Sequence, residues 1–152
     1  MSEANKQLVR RWFEEVWNMQ KEEAIDEIFA PQGKAYGFPE PDSVLTGPES
    51  FKTIYRKFIG AFPDIHVEIR EIIAEGDLVA VTWTATMTHL GDALGIAPTM
   101  KRETLDGCSV LVVRGPQIQD GRNYMEMHAL LHRLQFGSAT AGREETTELV
   151  GS

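Results

Sequence analysis

The chain has 152 residues, 42% hydrophobic and 25% charged, the size and make-up of one globular domain that needs no disulfide or metal staple. Lys and Arg number 15 against 23 Asp and Glu, and the net charge of −8 argues against nucleic acid or an anionic membrane surface as partner. One cysteine, Cys108, excludes an internal disulfide and a four-cysteine zinc site. The first residues lack a basic region followed by an apolar run, and no stretch nears the about 18 apolar residues of a membrane span. A soluble, cytoplasmic protein is therefore expected.

Leu8, Val9, Trp12, Phe13, Val16 and Trp17 form the apolar stripe of an amphipathic helix, with Arg10, Arg11, Glu14 and Glu15 opposite. A short second helix is predicted over Lys21–Ala30, stopped by Pro31 and a Gln32-Gly33 turn. Phe51, Ile54, Tyr55, Phe58, Ile59 and Phe62 give the strongest helical face, opened by a Thr46…Glu49 capping box and ended at Pro63. The period then changes to two. Ile65, Val67, Ile69 and Ile73 alternate with polar residues, and Glu75-Gly76-Asp77 makes a hairpin turn. In the next strand Val79, Val81, Trp83, Ala85, Met87 and His89 share one face against a row of alanine and threonine. A loop over Leu90–Met100, a strand through Cys108–Val113, a turn at Arg114–Gln117 and a last segment from Ile118 complete the pattern. Residues 137–152 have almost no apolar content and are expected to be a disordered tail behind a domain of residues 1–136. Helices followed by long antiparallel strands predict an α+β domain with a curved sheet wrapped over the helices.

The order of these elements and several short stretches resemble the SnoaL-like polyketide and ester cyclases of the nuclear transport factor 2-like superfamily. The stretches are Asn5-Lys6 with Val9-Arg10-Arg11, Glu15-Val16-Trp17-Asn18, Ile28-Phe29-Ala30-Pro31, Ala61-Phe62-Pro63-Asp64 and Glu75-Gly76-Asp77-Leu78-Val79-Ala80. Thr88-His89-Leu90-Gly91 and Gly95-Ile96-Ala97-Pro98-Thr99 continue the series, which runs from residue 5 to about 135. The resemblance implies a cone-shaped, cystatin-like fold with an apolar cavity between sheet and helices, and a homodimer formed through the sheets. Three positions depart from the family pattern. Met100 stands where a Gly often follows Pro-Thr, Arg122 takes the position of a Trp, and Glu126 takes that of the acid–base Asp.

By pattern alone Glu126 is a helix-opening carboxylate that favours the helix dipole. The family's acid position falling on it implies a general acid–base group, whose pKa an apolar cavity would raise. His89 closes the inward row led by Val79, where an imidazole could bind a substrate carbonyl or exchange a proton with Glu126; the plainer alternative is a His at a strand end stacked on its loop. Tyr36 matches a strand where the family often places a polar cavity residue, and a phenol can stabilise an oxyanion, or simply pack with its hydroxyl in water. Trp83, Phe38 and Met87 are expected as apolar walls. Tyr124 and His128 join Glu126 on the cavity side if residues 124–128 alternate as strand, and do not if they are helical. His128 and His132 lie four apart without the Glu of a zinc protease, and no nucleotide motif or nucleophile elbow occurs, so neither metal nor cofactor is expected.

These readings point to a cofactor-independent cyclase that closes a ring in a small apolar, aromatic or polyketide-like substrate, by aldol condensation or by epoxide opening. The alternatives are a ketosteroid-isomerase-like isomerase or hydroxylase of the same fold, and a non-catalytic binding or dimerisation module.

Overall fold

The computed structural model describes residues 2–137. The expected tail over 138–152 lies outside the described residues. Helix α1 (Ser2–Arg11) runs directly into a π-helical stretch, Trp12–Asn18, which buries Trp12, Phe13, Val16 and Trp17 together. Bonds to the fifth preceding residue turn the chain less per residue than an α-helix does, so side chains four and five apart stack on one side. Helix α2 (Glu23–Ile28) is shorter than predicted. The chain does not turn at Gln32-Gly33; strand β1 (Phe29–Tyr36) runs straight through Pro31, and its pairing register shifts between Phe29 and Lys34. A bulge tolerates both Pro and Gly, which is why the pair read as a turn.

Strand β2 (Val44–Thr46) leads into helix α3 (Gly47–Ala61), whose face of Phe51, Tyr55 and Phe58 is buried. No side chain caps this helix at Thr46. The expected capping box fails because Glu49 is taken by the buried ammonium of Lys52 (3.2 Å), which also binds Asp26 at 2.6 Å. The hydrogen bond from Lys52 to Asp26 outweighs the cost of burying the charge and raises the lysine pKa.

Strands β3 (His66–Glu75), β4 (Leu78–Thr88), β5 (Arg102–Arg114) and β6 (Gln117–Met125) follow as a meander, and helix α4 (Met127–Phe136) closes the described chain. The six strands lie in the order β2-β1-β6-β5-β4-β3, antiparallel except for β1 beside β6. One face of the curved sheet packs on the helices, and the row Val79, Val81, Trp83, Ala85, Met87, His89 is buried against them as predicted. Ile73 is a correction. The register shifts between Ile69 and Glu71, so a bulge at Arg70 reverses the parity, and Ile73 ends up outside, 70% exposed.

Candidate active site

Between the sheet and the helices lies a cavity of about 80 Å³, several times the roughly 10–15 Å³ that one water needs. Its walls are aromatic on the helix side, with Trp12, Phe13 and Trp17 from the first helices and Phe51 and Phe58 from α3. The sheet contributes Trp83 and Ala85 from β4, Leu105, Ser109 and Leu111 from β5, and Gly121, Asn123 and Met125 from β6. No Asp, Glu, His, Lys, Arg, Cys or Tyr is among the lining residues.

Ser109, Asn123 and the Trp83 indole form one hydrogen-bonded chain in this wall. Trp83 donates its indole Nε1–H to Ser109 Oγ at 3.1 Å, Ser109 donates to Asn123 Oδ1 at 2.7 Å, and Asn123 Nδ2 donates to the Tyr36 carbonyl at 3.0 Å. Strand register makes this possible. Trp83 stands opposite Gly107 and Val81 opposite Ser109, so the indole lies over the glycine and reaches the serine beside it. A Cβ at Gly107 would come within 2.8 Å of Trp83 Cε2 and closer still to Cζ2 and Cη2, so the ring position depends on the missing side chain.

The predicted site residues separate into two groups. Trp83 and Phe38 line the cavity. Tyr36, Tyr124 and Glu126 do come together, but in a groove on the other side of the sheet, with Asp106, Cys108 and Arg122. The Arg122 guanidinium sits 5.9 Å from the centre of the Tyr36 ring. The cause is phase. In β6, Gly121, Asn123 and Met125 face the cavity, so Arg122 and Tyr124 face out, and Tyr124 is 60% exposed. Glu126 keeps the outward phase as the exposed residue just before α4. The expectation that it is buried in the cavity is corrected accordingly. His128 is exposed on α4, beyond the end of the alternation.

Met87 is fully buried but lies outside the cavity lining. His89 is fully buried too, packed at a tilt against Phe62 with ring centres 5.6 Å apart, and it is not among the residues lining the cavity. Its Nδ1 accepts the Thr99 N–H at 3.1 Å, and its backbone pairs with Lys101 and Met100, so it fastens both ends of the 90–100 loop. The Nε2 of His89 has no partner among the described residues. Above the cavity a second groove is formed by Pro39, Ile54, Lys57, Leu94 and Leu131, and it shares Phe58 and Met127 with the cavity wall. Among the described residues no group of three His, Cys, Asp or Glu side chains is placed to hold a metal ion, and no helix is long and apolar enough to cross a membrane.

Sequence reasoning missed Ser109 and Asn123. The inward row Leu105, Gly107, Ser109, Leu111 is present in the sequence, but Val110 and Val112 on the other face hide its phase. The small residues Gly107 and Ser109 in an otherwise bulky strand were the available signal.

A curved sheet closed over helices around an apolar cavity is the architecture that the sequence resemblance implied. The chain matches SnoaL-like polyketide cyclase over residues 7–134 and belongs to that family. A protein from Jannaschia sp. CCS1 described as a candidate SnoaL-like polyketide cyclase superposes with a TM-score of 0.80 at 20% identity, covering 89% of this chain and 94% of that one. AclR from Streptomyces galilaeus, described as a candidate hydroxylase, gives 0.76 at 26% identity over 88% of this chain and 82% of its own. A candidate polyketide cyclase from Acidithiobacillus ferrooxidans gives 0.72 at 26% identity over 86% and 94%. No curated protein matches the chain.

Proposed function

We propose that the protein is a cofactor-independent cyclase that closes a ring in a small apolar, aromatic or polyketide-like molecule. The observation that carries this reading is the aromatic cavity broken by a single hydrogen-bonded polar chain. Aromatic walls hold a flexible substrate folded and dry, so its reacting ends meet without the entropy cost of a free encounter. Ser109 and Asn123 take the oxygen-binding part first expected of His89 and Tyr36, since His89 lies beneath its loop and Tyr36 outside the sheet.

Proton transfer is assigned to Glu126, working from the edge. Asn123, Met125 and Met127 belong to the cavity wall and to the outer groove alike, and Glu126 sits between the two methionines. In an aldol closure its carboxylate takes a proton from the carbon beside a carbonyl; the resulting enolate adds to a second carbonyl, and the alkoxide recovers the proton. In an epoxide opening it takes the proton of the internal hydroxyl, whose oxygen bonds to an epoxide carbon as the C–O bond of that carbon breaks, and the released alkoxide recovers the proton. A second reading, a non-catalytic small-molecule-binding module, is favoured by the lack of any ionisable group in the cavity wall. The chain is also assigned as a homodimer through the outer sheet face, where Ile73 and Leu78 stand 70% and 52% exposed.

The test is a panel of aromatic poly-β-ketone methyl esters, with ring closure read from the NMR spectrum of the product. On a converted ester, Glu126→Gln is expected to lower turnover by roughly 10²–10⁴-fold while the ester still binds. Full activity of that variant removes Glu126 from the mechanism, and binding of every ester without conversion of any supports the binding module.

A further inference from the structure

The chain Trp83–Ser109–Asn123–Tyr36 has only one possible direction. An indole nitrogen can only donate and a backbone carbonyl can only accept. Trp83 at one end therefore makes Ser109 an acceptor, and the Tyr36 carbonyl at the other end orients the Asn123 amide with nitrogen toward it. The Asn123 oxygen then faces Ser109, and the serine hydroxyl must spend its one proton there. What the cluster still offers can be counted. Ser109 Oγ and Asn123 Oδ1 each keep a lone pair, and Asn123 Nδ2 keeps one N–H.

Ser109 is buried (1% exposed), and apart from it and Asn123 the only N–H or O–H groups on the side chains of the lining are the indoles of Trp12, Trp17 and Trp83, of which Trp83 is committed to Ser109; Ser109 and Asn123 are bonded to no other side chain of the wall. A group that both donates and accepts fits their spare capacity. A hydroxyl gives its proton to a spare lone pair and accepts the spare N–H, whereas a carboxylate brings only acceptors and a charge that would lose its water with no cation to replace it.

We propose that Ser109 and Asn123 form the oxygen-recognition site of the cavity, selecting a neutral aromatic ligand through a phenolic or enolic hydroxyl and rejecting a carboxylate. This rests on the cavity being the substrate site, as the cyclase reading has it, and it names the form in which the substrate is held: the enol or phenol, uncharged.

The experiment compares naphthalene, 2-naphthol and 2-naphthoate at neutral pH by equilibrium dialysis, with the Trp83 indole N–H resonance followed by NMR. All three tryptophans line the cavity, and only the Trp83 indole is bonded to the serine, so its resonance should move most with naphthol. The expected result is naphthol binding about tenfold more tightly than naphthalene, as two modest hydrogen bonds provide. Naphthoate should bind at least roughly a hundredfold more weakly than naphthol. In Ser109→Ala the preference for naphthol should shrink to about threefold or less. Equal binding of naphthol and naphthalene by the unaltered protein overturns the oxygen site and leaves the cavity reading intact, and needs no variant to fold. Naphthoate binding as well as naphthol, or a preference undiminished in Ser109→Ala, also overturns it. Failure of all three to bind overturns the cavity reading and this inference together.

Discussion

Replacing Gly107 by Ala places the smallest possible side chain against the Trp83 indole, where a Cβ would lie 2.8 Å from Cε2 and nearer to two further ring atoms. Carbon contacts relax at roughly 3.5–4 Å, so the ring must withdraw by about an ångström. A flexible side-chain tip would yield cheaply. A buried indole that also packs on Phe13 at 6.2 Å and bonds to Ser109 has no such freedom. Overpacking of this kind costs about 1–3 kcal/mol, and losing the indole hydrogen bond adds roughly 0.5–1.5 kcal/mol. Against this, Ala restricts the unfolded chain and returns about 0.5–1 kcal/mol. The expected net loss is about 1–3 kcal/mol, or a fall in Tm of roughly 3–10 °C for a domain of this size. Thermal melting followed by far-UV circular dichroism measures it, and the near-UV spectrum reports the indole directly. If Gly107→Ala melts at or above the parent temperature with its near-UV spectrum unchanged, the account of how Trp83 is held is wrong.

Burial, with help from Glu22 and Glu23, pushes the Tyr55 phenol up to about 12 from an ordinary value of 10.0, while its hydroxyl donates to the Val16 carbonyl at 2.7 Å. The folded state keeps the proton that the unfolded chain loses, so stability should fall by roughly 2–3 kcal/mol between about pH 10 and 12 and level off above; Tyr55→Phe should flatten that limb in urea titrations. His89→Phe should fill the same space but leave the Thr99 N–H without its acceptor, so hydrogen exchange at Thr99 should quicken while the midpoint of global unfolding barely moves. The variant also removes the unpaired Nε2, which offsets the lost bond. Ile73→Glu should convert a dimer to monomer by sedimentation equilibrium, and that monomer should stay folded because the side chain is 70% exposed in the single chain, with only the concentration-dependent part of Tm lost; a dimer that persists unchanged places the interface elsewhere.

The sequence made the architecture legible wherever one face of an element is polar. The stripe of the first helix, the face of α3 and the row from Val79 to His89 all appear where alternation put them. It was silent wherever phase depends on one extra residue or on a strand apolar on both sides. The bulge at Arg70 turned Ile73 outward, and the valines of β5 concealed Ser109. For the candidate site, the family resemblance put Glu126 and Tyr36 in one cavity, and both line one groove on the other side of the sheet instead. The side of the sheet was beyond its reach, because family spacing carries no sign, and a one-residue difference in phase exchanges inside for outside.

Met127 is wall to three spaces at once: the aromatic cavity, the outer groove that holds Glu126, and the groove beneath Leu94 and Leu131. It is also the first residue of α4, a helix pinned farther along by Arg133, which binds Glu103 at 2.9 Å and the Thr104 carbonyl at 3.0 Å. One side chain is thus the partition between the aromatic interior, the groove of the Glu126 carboxylate and the groove of Leu94 and Leu131, and its place is set by the helix that starts on it.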